Sequence, residues 1–232
     1  MNILNIETSG KICSVAITSD GALEMQLDDR DGMQHANKLA PFVERCMAEL
    51  TRKEMKLDAV AVSIGPGSYT GLRIGLSLAK GLAFALNVPL IGVDTLKILA
   101  VKAMFSTMDW TGEEILVPMV DARRMEVFTA PYNFALEELQ TPGPMILDEN
   151  SFADLLGSGK QLWFFGDGAE KAKSVIGHPN AHWIDGLLPQ AKDMLALSEK
   201  ALRENDFIDI AYSTPKYLKA YQTTKPKTPF NL

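Results

Sequence analysis

The chain has 232 residues, 47 % of them hydrophobic and 22 % charged, with a formal net charge of −6. This length and balance suit one large or two small soluble, packed domains. The negative sign argues against tight binding to bare nucleic acid, where Lys and Arg supply most of the affinity by neutralising phosphates. Cys13 and Cys46 sit in apolar segments without Cys-x-x-Cys spacing, so buried thiols are expected rather than a disulfide. The opening MNILNIETSG has neither a basic region nor a cleavage site, which sets the expectation of a cytoplasmic protein.

Residues 2–29 alternate in polarity and turn at Thr-Ser-Gly-Lys and again at Ser-Asp-Gly, which predicts three antiparallel strands joined by hairpins. Leu39, Phe42, Val43, Cys46, Met47 and Leu50 recur at helical spacing, so a helix is expected over 36–50, with Asn37 as N-cap and Pro41 inside the tolerated early turns. A buried strand over 57–64, a helix over 71–86, a buried strand over 89–93 and a helix over 95–104 follow, a pattern that implies parallel strands covered by helices. The run 74–93 is apolar enough to raise a membrane span. Lys80 lies near its middle, and Asn87 and Pro89 break it, so a buried helix and strand are expected instead.

ILVPMVDARRMEVFTAPY then repeats the pattern of the opening ILNIETSGKICSVAI: strand, acid, polar turn, strand. An internal duplication is expected, with a tight division into 1–108 and 109–232. TPGPMILDENS reads as a loop entering a short helix, QLWFFGDGAEKAKSVI as a buried strand, a tight turn and a helix, and PQAKDMLALSEKALREN as an amphipathic helix. STPKYLKAYQTTKPKTPFNL reads as an extended, poorly ordered tail.

No familiar catalytic grouping is legible. GPGSYTGLRIG lacks the Gly-Lys-Ser/Thr end of a phosphate-binding P-loop, and Thr70 stands where a dinucleotide fingerprint needs its third glycine. Ser68 lacks a Gly-x-Ser-x-Gly elbow. His178 and His182 are four apart, but Pro179-Asn180 between them is a turn, so surface histidines are expected. Glu7 and Asp121 each end a predicted strand at a hairpin. In a cleft between duplicated halves they could hold Mg²⁺ through water while turn N–H groups meet phosphates; equally, each carboxylate could satisfy its own turn. Gly166-Asp167-Gly168 opens a helix and reads first as an ordinary tight turn, as Arg123-Arg124 reads first as solvated.

The 71–86 helix is more telling. At about 100° per residue, Gly71, Gly75, Ala79, Leu82 and Leu86 share one side, Ile74, Leu78 and Ala85 flank it, and only Arg73, Ser77 and Lys80 mark a polar stripe. Roughly two thirds of the circumference is apolar or small, more than one sheet face buries. Glycines at four-residue spacing let another helix approach closely. The expectation is a shared surface of the 36–50 and 71–86 helices, completed by a second protein.

ILNIETSGKICSVAI, His35 with Leu39-x-Pro41, SIGPGSYTGLRIGLSLAKGLAFALNVPLIGVDTL, DARRMEVF, FFGDGAEK and PKYL together resemble the bacterial TsaB (YeaZ) family, in order and across nearly the whole chain. The resemblance implies an α/β fold of two related lobes of the actin-like, sugar-kinase and heat-shock ATPase type. It also implies a non-catalytic partner and activator of TsaD, which adds threonylcarbamoyl to the adenosine next to the anticodon in tRNAs reading codons that start with A. TsaE joins as an ATPase, tRNA is reached only through the complex, and a homodimer forms when TsaD is absent. TsaD holds its metal on a His-x-x-x-His pair; here Leu39 follows His35 at that spacing, so no metal site and no zinc peptidase are expected. By resemblance the partner surface comprises His35, Leu39, Phe42, Val43, Cys46, Met47, Gly71, Arg73, Gly75, Leu78, Ala79 and Leu82. A nucleotide could be met by Glu7, Thr8, Ser9, Gly65, Gly67, Asp121, Gly166 and Gly168, and ATP or ADP with Mg²⁺ could sit at or near the partner interface. IETS replaces the Asp and Gly-Thr of active members, and the competing reading is a stand-alone ATPase or kinase working through Glu7 and Asp121.

Overall fold

The computed structural model describes residues 1–32, 34–106 and 109–219. Its frame is two five-stranded sheets. The first is built from β1 (Asn2–Glu7), β2 (Cys13–Ser19), β3 (Ala22–Asp29), β4 (Ala59–Gly65) and β5 (Leu90–Asp94), in the order β3-β2-β1-β4-β5. The second is built from β6 (Ile115–Asp121), β7 (Glu126–Thr129), β8 (Gly143–Ile146), β9 (Leu162–Phe165) and β10 (Ala181–Ile184), in the order β10-β9-β6-β7-β8. Three antiparallel strands followed by two parallel ones recur in both, β6 taking the place of β1 and β9 that of β4. The suspected duplication is therefore topological, and the fold is α/β with two related lobes.

Each strand's composition follows its position. Central β1 buries Ile3, Leu4 and Ile6 completely, on both faces of the sheet, and β4 does the same with Ala59, Val60, Ala61 and Val62. Edge strand β3 carries Glu24, Gln26 and Asp28 and is largely open to solvent. Helix α1 (His35–Arg52) buries Leu39, Val43, Cys46 and Leu50 at helical spacing over the first sheet. Helix α2 (Tyr69–Leu86) starts at a Ser68 cap whose side chain accepts from Gly71 N–H, and it ends at Asn87 in the left-handed region. Helix α3 (Thr95–Met104) follows β5 directly, its first turn capped by Asp94, which accepts from Leu96 N–H at 2.8 Å. It is apolar nearly all round because it lies between the sheets. Ile98 joins the core under β1, β4 and β5, while Leu96, Leu99, Ala100 and Ala103 join Leu116, Tyr132 and Phe165 of the second lobe.

Short helices α4 (Ala153–Gly157) and α5 (Ala169–Ala172) belong to the second lobe, and the chain then returns to the first. A 3₁₀ turn, Ala191–Met194, leads into α6 (Leu195–Glu204), and Met194 is fully buried beside Ile3, Ala59 and Ile91. Beyond α6 a strap, residues 207–219, crosses the first lobe: Ile208 N–H donates to Leu90 C=O at 2.9 Å and Lys216 N–H to Ile64 C=O at 2.7 Å. As far as residue 219, then, the expected loose tail is a fixed crossing, because its backbone donors find carbonyls at strand ends; residues 220–232 of that tail lie outside the described residues.

Several local expectations shift. Helix α1 begins at His35 with Gln34 as N-cap and no side-chain cap, so Asn37 lies inside the helix. TPGPMILDENS contains strand β8, whose pairing with β7 outweighs its loop-like composition. His182 lies on β10, stacked on Trp163 at 4.7 Å, and His178 Nδ1 accepts from Asn180 N–H in the turn before it. Cys13 and Cys46 are free and buried. No helix among the described residues is long and apolar enough to cross a membrane.

The glycines of α2 differ in their surroundings. A Cβ on Gly71 would stand 2.2 Å from the backbone oxygen of Thr8, whereas one on Gly81 would meet nothing within 4 Å. Gly71→Ala is expected to lower unfolding free energy by about 1–3 kcal/mol through overpacking, and Gly81→Ala to raise it by about 1 kcal/mol through helix propensity. Urea unfolding of both variants checks the contrast; equal effects would remove the assignment.

Candidate functional site

The first candidate region is the end of β1 and the turn into β2. Glu7 is fully buried, and its Oε1 accepts from Ser9 N–H at 2.6 Å and from Ser9 Oγ at 2.5 Å. Thr8 N–H donates to Ser63 Oγ at 3.2 Å, and Ser68 N–H donates to Ser9 C=O at 2.7 Å. The turn's donors thus point at its own neighbours. Its glycine companions close the remaining space: a Cβ on Gly67 would stand 2.3 Å from Ser9 O, and Gly65 lies against the Lys216 backbone. Burial pushes the Glu7 carboxyl up to about 7, with the two Ser9 hydrogen bonds pulling partly against it; its Oε2 has no partner among the described residues.

The second lobe holds the matching corner. Gly166 lies under Met119 C=O, where a Cβ would come within 2.2 Å, and Gly168 lies against Val127 and the end of β6. Asp167 Oδ1 accepts from Asp121 N–H at 2.9 Å, and burial raises the Asp167 carboxyl above its ordinary range. Asp121 itself is exposed and ion-paired with Lys171, which also donates to the Arg124 and Glu126 carbonyls. These residues fit a nucleotide poorly. The first corner offers a sealed carboxyl and inward-turned N–H groups, and the second an acid already neutralised by a lysine. The pattern is that of carboxylates satisfying their own turns, the bland half of the sequence expectation. Among the described residues no group of three or more His, Cys, Asp or Glu could hold a metal ion.

The second candidate region is the helix pair. His35, Leu39, Val43, Cys46, Gly71, Gly75 and Ala79 are buried inside the first lobe. Burial lowers the His35 pKa, and its Nε2 has no partner among the described residues. The glycine ridge expected to receive a foreign helix is filled from within. A Cβ on Gly75 would stand 2.2 Å from Thr8 Oγ1, so the notches of Gly71 and Gly75 receive the end of β1. Sequence reasoning found the notch and missed its occupant; the signal was the second glycine turn at 166–168, which meets β6 as 65–75 meets β1. What α2 turns outward is the adjoining ridge: Ile74, Leu78 and Leu82 half-buried, then Ala85 and Leu86 exposed. Phe42 and Met47 of α1 are half-buried against the same core, and Arg73 is exposed.

Comparison with known proteins gives this geometry a family. A family model described as "TsaD: tRNA N6-adenosine threonylcarbamoyltransferase" matches residues 32–228. The tRNA threonylcarbamoyladenosine biosynthesis protein TsaB of Escherichia coli (strain K12) is 30 % identical over 94 % of this chain and 95 % of its own length. The chain belongs to the TsaB (YeaZ) family. YeaZ from Pseudomonas aeruginosa superposes with a TM-score of 0.79 at 27 % identity, covering 94 % of this chain and 99 % of that one. The inorganic polyphosphate/ATP-glucomannokinase of Arthrobacter sp. strain KM, with a TM-score of 0.50, 9 % identity and coverage of 88 % and 99 %, shares the fold alone. In this TsaB-family chain Leu39, 1 % exposed, packs into the core at the position where the sequence comparison looked for a second histidine.

The Glu7 carboxyl makes a signed prediction. Between an ordinary value of 4.5 and about 7, the folded chain keeps a proton that the unfolded chain has released. Stability therefore falls as pH rises through that window. Glu7→Gln removes this slope and is expected to exceed the parent at pH 8 by about 3 kcal/mol at most, with the advantage gone below about pH 4. Thermal melts across that range check it; parallel pH profiles would discard the buried neutral acid.

Proposed function

We propose that this chain acts in tRNA threonylcarbamoyladenosine biosynthesis as a non-catalytic partner and activator of a TsaD enzyme. The single observation that carries the reading is the outward ridge of α2, Ile74, Leu78, Leu82, Ala85 and Leu86, on a chain matching its TsaB relative over 95 % of that protein. Half-buried apolar side chains in a continuous row favour a protein partner over water. The first hairpin supports the same side of the argument, because its donors close on Glu7 and Ser9. Activation follows if the ridge binds one TsaD conformation more tightly than another, since only differential affinity shifts an equilibrium. TsaE would join that pair, tRNA would be reached through the complex in the cytosol, and a second copy would cover the ridge when TsaD is absent.

Ala85→Glu places a carboxylate on the exposed part of the ridge while leaving the buried face intact. Co-elution with the TsaD of the same organism in size-exclusion chromatography is expected to be lost, and threonylcarbamoyl transfer by the mixture to fall at least about tenfold, with a melting temperature close to the parent's. Unaltered co-elution would sink the ridge as the contact. Mg-ATP turnover by the isolated chain that disappears in Asp121→Ala would replace the whole reading with a stand-alone ATPase.

A further inference from the structure

On the flank of α2 away from that ridge, the strap and the helix enclose a cavity of about 190 Å³ lined by Arg73, Leu76, Ser77, Lys80 and residues 213–215 and 217. Arg73, Ser77 and Lys80 follow one another at i, i+4 and i+7, so a single helical stripe faces the opening. Neither cation has a carboxylate partner among the described residues. Arg73 Nε donates to Tyr217 Oη at 2.9 Å, and its guanidinium carbon lies 4.1 Å from the centre of the Tyr69 ring. That leaves its two terminal nitrogens without an acceptor among the described residues. Lys80 Nζ donates to Ser213 C=O at 2.6 Å and Ala211 C=O at 3.2 Å, keeping one proton to give. Ser213 Oγ is buried without a partner among the described residues, and the strap's own acid, Asp209, is turned onto the N–H groups of Ala211 and Tyr212.

We propose that this cavity is a subsite for a phosphoryl oxyanion. The arginine fork and the lysine supply charge-assisted donors, and the hydroxyls of Ser77, Ser213 and Thr214 supply neutral ones, the mixture that oxyanion sites use. The wall is built before the ligand arrives, because Lys216 N–H is held by Ile64 C=O and Lys216 Nζ by Asp94 at 2.9 Å. Size sets the class. The volume is below the roughly 300–1,000 Å³ of sites that enclose a drug-sized ligand, so the cavity takes a headgroup and leaves the rest of the molecule outside. Tyr69 and Tyr217, 36 % and 42 % exposed with ring centres 5.1 Å apart, stand at the rim where a planar base could stack. Two sources share this chemistry: the terminal phosphoryl of a small molecule and a phosphodiester of single-stranded RNA. The inference stands apart from the TsaD reading, since the isolated chain suffices to test it.

The probes are inorganic phosphate and a single-stranded RNA heptamer, each titrated into the isotope-labelled full chain while the Arg73 Nε–H and the backbone amides of Ser213, Thr214, Lys216 and Tyr217 are followed by NMR. Saturable shifts at Arg73 and the strap with phosphate are expected, weakening as salt rises. Ser77→Glu, which sits i+4 from Arg73 and keeps the helix paired, is expected to weaken binding at least about tenfold, and Ser77→Lys to strengthen it. An RNA affinity above that of phosphate, reduced by Tyr217→Ala alone, assigns the phosphodiester; equal or lower RNA affinity assigns the small molecule. Absence of saturable shifts, or phosphate affinity indifferent to Ser77→Glu in a variant that melts like the parent, overturns the subsite.

Discussion

Everything in the first lobe depends on how closely a helix can approach the end of a strand. Thr8 occupies the space where side chains at 71 and 75 would stand, and that contact fixes both the height and the rotation of α2 over the sheet. Rotation decides what faces water. With Gly71, Gly75, Ala79 and Ala83 turned inward, Ile74, Leu78 and Leu82 take the outward flank on one side and Arg73, Ser77 and Lys80 that on the other. An added Cβ at Gly71 would need the Thr8 carbonyl to move, and fully buried backbone next to the end of a central strand yields poorly.

The two lobes use one frame for different electrostatic ends. At the first corner a glutamate is fully enclosed, held by a serine's N–H and hydroxyl and pushed toward neutrality by desolvation. At the second, Asp121 stays at the surface and is matched by Lys171, while the neighbouring Asp167 goes inward onto a backbone N–H. Both arrangements consume donors that a kinase-like fold could otherwise turn toward a phosphate. Unspent polar donors are found instead on the outer flank of α2, where the strap adds hydroxyls to the lining.

Much of this frame was legible in the sequence, and the reasons are physical. Apolar strands separated by amphipathic helices can be read because burial dictates composition, and the recurrence of strand, acid, turn and strand announced the second sheet. Strand β8 was hidden because GPMI pairs with β7 through its backbone, which composition does not record. The inward destiny of Gly71 and Gly75 was hidden because a small-residue stripe is equally suited to a strand end and to a foreign helix; only the partner in space separates them. The strap was misread for a related reason. Its Pro, Lys and Thr are typical of solvated chain, yet it is held by long-range hydrogen bonds at Ile208, Ala211, Ser213, Lys216 and Tyr217 that leave no periodicity.

Helix α3 has a consequence for how such a chain could arise and be divided. One of its sides completes the interior of the first sheet and the other that of the second, while Met194, from the far end of the chain, closes the first interior again. Severing the polypeptide after residue 104 would strand a greasy rod with half its coat removed. The doubled architecture is therefore not a pair of closed interiors: each sheet's core is completed by a helix that serves the other as well.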